Sequence, residues 1–346
     1  MIRTFAAGSN ALDDRRASVD VVLQNVSIGI KPPSDFIGDL ILPPHPQALS
    51  EAKMKVWGTE AYRIRDDRLA DFSEPSKLDI QAGLTTVNVD GHGLMAPVSD
   101  RHQQEALQGP LNYDLAARET KTVTAQMLLS REKLQADLVT AAATYASANK
   151  CDLNANGMKA DGTQSAGNHQ WDNGSNDPID DLTAAIESVV PDATGQRPNL
   201  VWLGQPVWAA LVRNTAFKNR VFGTANPQGV PTLAQLATII GVDRVIVGRA
   251  LSRTADATTF GNGGTVTKLW GKNAGCLYVA PDAGDVEPAF GYTIEQSVFG
   301  GATSKIITIR DEKMGASGGY WVKRAAFYTP AALYPNAGFL FYNVIA

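Results

Sequence analysis

Val123-Thr124-Ala125-Gln126-Met127-Leu128-Leu129-Ser130-Arg131-Glu132-Lys133-Leu134-Gln135-Ala136-Asp137-Leu138 is the stretch on which the fold reading turns. Val123, Met127, Leu134, Leu138 and Tyr145 step by 4, 7, 4 and 7 residues, which places them in a narrow arc of one helical face. Pro110 precedes the segment and an Asn- and Gly-containing stretch follows it, so the pattern predicts one helix over 112–149. At 1.5 Å per residue it would span roughly 55 Å. A helix of that length reads as a spine along which other elements line up.

Upstream, Lys55 to Arg65 alternates as a half-exposed strand and Leu84 to Val89 returns as a second. Between them lies a tip, Asp66-Asp67-Arg68 through Gly83, of mixed charge and little apolar content. A two-stranded ribbon is barely stable alone in water, so this one is expected to lie on another surface. The first ~50 residues read as an arm by the usual linker criteria. They hold a charged cluster, Asp13-Asp14-Arg15-Arg16, and proline punctuation at Pro32-Pro33 and Pro43-Pro44-His45-Pro46. The arm's apolar patch, Phe36, Ile37, Leu40, Ile41 and Leu42, suggests docking onto something else, such as a neighbouring subunit, and a chain lacking 1–50 is expected to stay soluble but lose assembly.

Downstream of the helix, a polar loop (150–177) gives way to short alternating helices and strands. Asp177-Pro178 starts a helix with a capping residue and proline at its first position, and Ile179, Leu182, Ile186 and Val189 continue it. Leu200-Val201-Trp202-Leu203 is a buried strand, a helix follows near Pro206–Phe217, and Leu233 to Ile240 is a helix stopped by Gly241. Arg244 to Val247 and Cys276 to Val279 add strands. From Lys305 the chain reads as β, with Lys305–Arg310 and Tyr320–Lys323 flanking a Gly-rich turn. The terminal Gly338 to Ile345 is too apolar for a free tail and is expected to pack beside the long helix. The fold class is α+β.

Composition narrows the function. The chain has 346 residues, 44% hydrophobic and 19% charged, with a net charge of −4 and no basic stripe of the kind a dedicated nucleic-acid binder shows. No run of about 18 apolar residues could span a membrane, and no secretory leader is visible at Met1–Gly8. The two cysteines, Cys151 and Cys276, suit neither a disulfide framework nor a metal site.

The chemical motifs also fail on inspection. Gly315-Ala316-Ser317-Gly318-Gly319 spells a nucleophile elbow, but no Asp, Glu or His follows residue 312 and the next segment reads as a strand. Asp152, Asn154, Asn156 and Gly157 resemble half a calcium loop, yet Thr163 stands where a bidentate Glu should close it. His45, His92, His102 and His169 are scattered. Gly261-Asn262-Gly263-Gly264 breaks the dinucleotide fingerprint at Val266. Asp180-Asp181 complements a helix dipole. The expectation is no enzyme: no catalytic, cofactor-binding or metal residue, and no cofactor.

The order of arm, ribbon, spine helix, α+β insertion and β return resembles the major capsid proteins of tailed bacteriophages, the Hong Kong 97-type fold. Phe36-Ile37-Gly38-Asp39-Leu40-Ile41-Leu42-Pro43 looks like that family's stretch after the arm, and Leu128-Leu129-Ser130-Arg131-Glu132 lies in its helix. Arg197 to Gly204, Gly241 to Gly248, Trp270-Gly271-Lys272, Phe290-Gly291-Tyr292-Thr293 and Ala337 to Asn343 are similar to further stretches. The resemblance covers roughly 36–346. It implies an N-terminal arm (1–52), an extended loop (53–97), a peripheral domain (98–180 and 305–346, with the spine helix 112–149) and an axial domain (181–304). It further implies a structural subunit self-assembling into hexamers and pentamers of an icosahedral head around double-stranded DNA. That head would be assembled in the host bacterial cytoplasm and located in the virion, with no membrane partner. Met1 opens directly into the arm, so the scaffolding protein would be separate; a portal protein and a decoration protein are further implied partners. Some members cross-link a loop Lys to a neighbour's Asn; Lys77 and Asn336 or Asn343 are candidates for those roles, which the residues around them do not establish. An encapsulin-like bacterial compartment shell is the nearest alternative. Another virion structural protein is a second, although tail-tube proteins are mostly β and the spine helix speaks against them.

Overall fold

The computed structural model describes residues 17–18, 21–28, 33–57, 64, 68, 74, 82–108, 113–158, 161–223, 229–254, 265–280, 289–298 and 301–346. The quoted stretch is helical from Leu115 to Thr140. Asp114 caps this spine helix, its carboxylate accepting from the Ala116 N–H, so one orphan donor of the first turn is met. The helix is shorter than the expected 112–149. Ala141 turns extended, and two short 3-10 turns, Ala142–Thr144 and Ser147–Asn149, follow. Side chains from beyond the break take up the last helical carbonyls: Thr144 Oγ1 donates to Leu138 O and Tyr145 Oη to Val139 O. Tyr145 therefore reaches the core by folding back, and its place in the helical count is a coincidence of spacing.

Among the described residues two larger sheets carry the fold. The first has six strands: β1 (Ala17–Ser18), β2 (Pro44–Gln47), β5 (Gly91–Ser99), β14 (Gly291–Gln296), β15 (Ser304–Asp311) and β16 (Gly319–Ala332). The long β16 organises it, pairing with β15 and β5 along its first part and with β14 beyond Tyr328. The spine helix lies on this sheet. Val123 and Met127 pack with Ala96, Ala326 and Tyr328, while Ala116 packs with Val98, Ile306 and Val322. The helix Val21–Ile28 adds Leu23 to the latter group, so this part of the arm rests on its own subunit.

The second sheet runs β10 (Arg244–Gly248), β9 (Leu200–Gly204), β13 (Ala274–Leu277), β17 (Gly338–Tyr342) and β6 (Lys150–Asp152). The sequence division keeps 305–346 wholly with the spine helix and apart from 181–304. Across that division β17 pairs with β13, and β6 in turn with β17, so strands from both parts share this sheet. Phe339, Leu340 and Phe341 form an apolar run without alternation, which suits a strand buried on both faces. Phe339 and Phe341 join Val201 and Leu203 on one side. Leu340 meets Ala136 and Val139 of the spine helix on the other, so contact with that helix holds for one face.

Helices clothe this second sheet. Asp177 caps Pro178–Ala184 as the sequence predicts, and Thr232 with Gln235 forms a capping box for Leu233–Ile240, which Gly241 ends at φ 65°. The single helix expected near 206–217 is two, Gln205–Leu211 and Thr215–Phe222, because the Asn214 side chain caps the second by accepting from Phe217 N. Three two-stranded units complete the described chain. The ribbon pairs β3 (Glu51–Trp57) with β4 (Ala82–Asn88); β4 falls where the second extended stretch is expected, whereas β3 overlaps the expected 55–65 stretch only at 55–57, the rest of which lies mostly outside the described residues, as does most of the tip. The others pair β7 (Asn156–Met158) with β8 (Gln164–Ala166), and β11 (Leu251–Thr254) with β12 (Thr265–Lys268). The Gly261–Gly264 motif also lies outside the described residues.

Candidate assembly surface

The apolar patch of the arm, read as a docking element for a neighbour, is buried in its own subunit: Ile37 is 2% exposed, and Ile41 and Leu42 are fully covered. The short helical turn Gly38–Ile41 aims them at Ala136, Val139, Trp270 and Leu340, and leaves Leu40 outward. Removing residues 1–50 would strip this core, which corrects the expectation that such a chain stays soluble.

A buried polar knot fixes that segment. The Glu132 carboxylate accepts from Ile37 N (2.9 Å), Gly38 N (2.9 Å) and Trp270 Nε1 (2.8 Å). Burial pushes its carboxyl up, and the three donors oppose that shift. Gln135 Nε2 donates to Asp39 Oδ1 (2.7 Å) and Thr293 Oγ1 (2.8 Å), and Thr293 Oγ1 donates to Leu42 O. Arg131 pairs with Asp39 and Glu295. The approach is so close at Gly38 that a Cβ there would sit 2.0 Å from Gln135 Oε1. One helix face thus ties the arm to β14 of the first sheet and, through Trp270, to Trp202 of the second, whose ring centroid is 5.2 Å away. The sequence reading missed Glu132 and Gln135, since polar residues in a helix count as solvent-facing until partners are known.

A second inward carboxylate stands in the first turn of Pro178–Ala184, where the sequence places both Asp180 and Asp181. Asp180 pairs with Arg220 at the surface, but Asp181 is buried and accepts from Met158 N (2.9 Å) and Trp171 Nε1 (2.8 Å). It holds the 150–177 segment to the helix Pro178–Ala184, and burial pushes its carboxyl up.

What remains outward is apolar in places. Leu84 on β4 is 69% exposed, Val266 on β12 is 61% and Met95 on β5 is 59%. Among the described residues the ribbon is anchored at its base, where Ala52 is buried and Met54 packs near Tyr292. Gly83 to Thr86 are all exposed. A two-stranded ribbon carrying exposed apolar side chains has burial left to gain from another surface.

The motifs considered for chemistry are dispersed. Ser317 sits in the hairpin turn between β15 and β16, where Gly315 and Gly318 adopt φ 62° and 73°, and the segment after it is a strand. His92 stacks on Tyr328, His45 lies against Tyr292, His102 is exposed on the helix Asp100–Gln108, and His169 fills the space beside Gly157. Asp152 Oδ1 accepts from Asn154 N and Asn343 Nδ2, a turn and a tether for the C-terminal segment. Among the described residues no three His, Cys, Asp or Glu side chains gather as metal ligands, and no helix is long and apolar enough to cross a membrane. Cys151 and Cys276 are buried, and desolvation pushes both thiols up to about 12. Of the cross-link candidates, Lys77 lies outside the described residues, and the backbone carbonyl of Asn336 accepts from Asn149.

No family model matches the chain. It is 26% identical over 315 residues to the major capsid protein of Pseudomonas phage JBD67, covering 90% of this chain and 92% of that one. It is likewise 26% identical over 329 residues to the major capsid protein of Burkholderia phage BcepMu, covering 93% and 95%. Among solved structures, a phage-related protein from Bordetella bronchiseptica RB50 superposes with a TM-score of 0.69 at 24% identity, covering 94% of this chain and 97% of the other. The capsid of cyanophage P-SCSP1u gives a TM-score of 0.52 at 13% identity, covering 87% and 86%. The chain has the mixed helix-and-sheet fold of phage capsid subunits.

Proposed function

We propose that the chain is a phage major capsid protein, a structural subunit that self-assembles into the head. The observation that carries this reading is likeness over nine-tenths of both chains to two phage major capsid proteins. The physical form agrees with it: a body whose two sheets are locked through one polar knot, with a ribbon and a hairpin left uncovered.

In this reading the second sheet and its helices, roughly 181–280 with β6 and β17, form the axial domain. It meets its copies at the centres of hexamers and pentamers of an icosahedral shell. The first sheet and spine helix form the peripheral domain, and the ribbon crosses to a neighbouring subunit. Each subunit is then held by several partners at once, so modest interfaces add up. The base of the ribbon supplies the slack by which one sequence serves two kinds of ring. Double-stranded DNA lies inside without base readout, which the mild net charge of −4 suits. A separate scaffolding protein, a portal and a decoration protein complete the assembly, the virion is its location, and the subunit performs no catalysis.

Electron microscopy of the purified protein, concentrated under assembly conditions, tests the proposal. Closed shells are the expected product. A subunit that remains monomeric at all concentrations and salts would overturn it, and shells filled with a bacterial cargo enzyme from the native host would turn it toward a compartment.

A further inference from the structure

Arg324 lies on β16 between Val322 and Ala326, on the side facing the spine helix. Its Nε and Nη1 are shielded from solvent, and among the described residues neither finds an acceptor. Burial pushes this guanidinium down from its ordinary value; the Arg131 charge adds to that, while Tyr328 and the Glu295 carboxylate oppose it. A guanidinium stays charged in a protein, so shielded N–H groups without an acceptor call for a physical explanation.

The site is balanced in charge but uneven in its bonding. Two guanidiniums, Arg131 and Arg324, stand with two carboxylates, Asp39 and Glu295, and Arg131 holds both carboxylates. It grips Asp39 with two nitrogens, Nε (2.9 Å) and Nη2 (2.8 Å), and Glu295 with one, Nη1. Glu295 and Arg324 line the same partly open cavity of about 50 Å³, together with Met127, Leu128 and Ala326. The carboxylate in the weaker grip therefore stands beside the cation that lacks an acceptor.

We propose that Glu295 is an exchanging carboxylate, which passes from Arg131 to Arg324 and leaves Arg131 with Asp39. The exchange keeps two ion pairs among the four groups and gives the Arg324 N–H groups an acceptor, so the two pairings lie close in free energy. Its mechanical effect follows from where the groups stand. Glu295 on β14 is in register with Tyr328 on β16, so a pair with Arg324 lies within one sheet. The pair with Arg131 instead ties the spine helix to that sheet, and the exchange releases this tie. Just beyond it, Glu132 still accepts from Trp270 Nε1 and Gln135 still donates to Thr293, so the helix keeps a fixed point. Before that point Val123 and Met127 rest on the small side chains of Ala96 and Ala326, with the cavity beside Met127 and Leu128. The half of the helix before Arg131 is the part freed to shift over the sheet. The use of two such states, adding to the slack at the ribbon's base, rests on the capsid reading above; the exchange itself does not.

A carboxylate exchange coupled to a helix shift falls in the μs–ms range that relaxation dispersion reads. Nitrogen dispersion on the arginine Nε–Hε groups of the full-length free subunit tests it, with each signal assigned by an arginine-to-lysine variant. Arg131 and Arg324 are expected to share one rate and one population, and Glu295→Gln is expected to abolish the dispersion at both. Flat profiles in the wild type would overturn the proposal and leave water as the partner of Arg324, whatever the variants do. Dispersion that survives Glu295→Gln would overturn it too, since the motion then has another source.

Thermal midpoints give a second readout. The coupling between Glu295→Gln and Arg324→Met is expected to grow once Arg131→Met removes the competing guanidinium. Equal coupling with and without Arg131 would overturn the exchange. In assembly, Arg324→Met confines Glu295 to Arg131 and is expected to lose closed shells in favour of open sheets or tubes. Closed shells at the wild-type yield would overturn the assigned use. Wild-type protein that shows the dispersion but forms no particle is a different result: it overturns the capsid reading and supports the exchange.

Discussion

β9 and β12 are strands of five and four residues, yet every residue of β9 is buried and every residue of β12 is exposed. β9 sits between β10 and β13, with core on both faces, so the chain supplies all the cover it needs. Among the described residues β12 pairs with β11 alone, as β4 pairs with β3, and Gly83 to Thr86 of β4 are likewise exposed. The difference separates two uses of extended backbone in one molecule. The covered sheet makes the subunit stable. The uncovered pairs add little to that stability and hold apolar surface in reserve, which makes sense in a protein that finishes folding its surface against copies of itself.

The largest test of that division is Phe339→Ala in β17. Truncating a fully buried aromatic should destabilise the free subunit by about 3–5 kcal/mol, measured by denaturant unfolding. A loss under about 1 kcal/mol would mean the covered sheet is not the source of stability.

Next in size is Glu132→Ala, which strands three buried donors, Ile37 N, Gly38 N and Trp270 Nε1. A cost of about 2–4 kcal/mol is expected, with hydrogen exchange at Ile37 and Gly38 accelerating before the rest of the core. Its pH counterpart has a definite sign. Because burial raises the Glu132 carboxyl, the folded subunit holds that proton more tightly than the unfolded chain does. The stability so contributed is fully present below the ordinary glutamate value and is lost as pH rises through the raised one. Thermal midpoints of Glu132→Gln across mildly acidic pH should show a shallower fall than wild type. Asp181, raised by the same cause, keeps part of the slope.

The smallest effect on the subunit sharpens the comparison most. Leu84→Ser on the ribbon should change free-subunit stability by no more than about 0.5 kcal/mol while lowering the yield of shells seen by electron microscopy. Equal shell yield from the variant and wild type would remove this position of the ribbon from assembly.

Much of this architecture was legible in the residues. The 3.6-residue spacing of Val123 and Met127, the Asp177-Pro178 start, the Gly241 stop and the apolar run at Leu200–Leu203 each impose a local geometry that tertiary contacts did not override. Local pattern failed where one residue type serves two ends. Phe36 to Leu42 is sticky by composition, but composition does not say to whom it sticks. The end of the spine helix was misplaced because Tyr145 satisfies the helical spacing from a chain that has already turned back.

By itself, then, the sequence determined several of the helices and strands, that no motif for chemistry is complete, and the order of parts that resembles a capsid subunit. Tertiary structure alone decided that the arm segment 36–42 belongs to its own core, that β17 completes the second sheet, and that Glu132 and Asp181 point inward. The physical reason is distance along the chain. Periodicity records the few residues around a position, whereas the partners of Glu132 lie 95, 94 and 138 residues away, and only folding brings their N–H groups to one carboxylate.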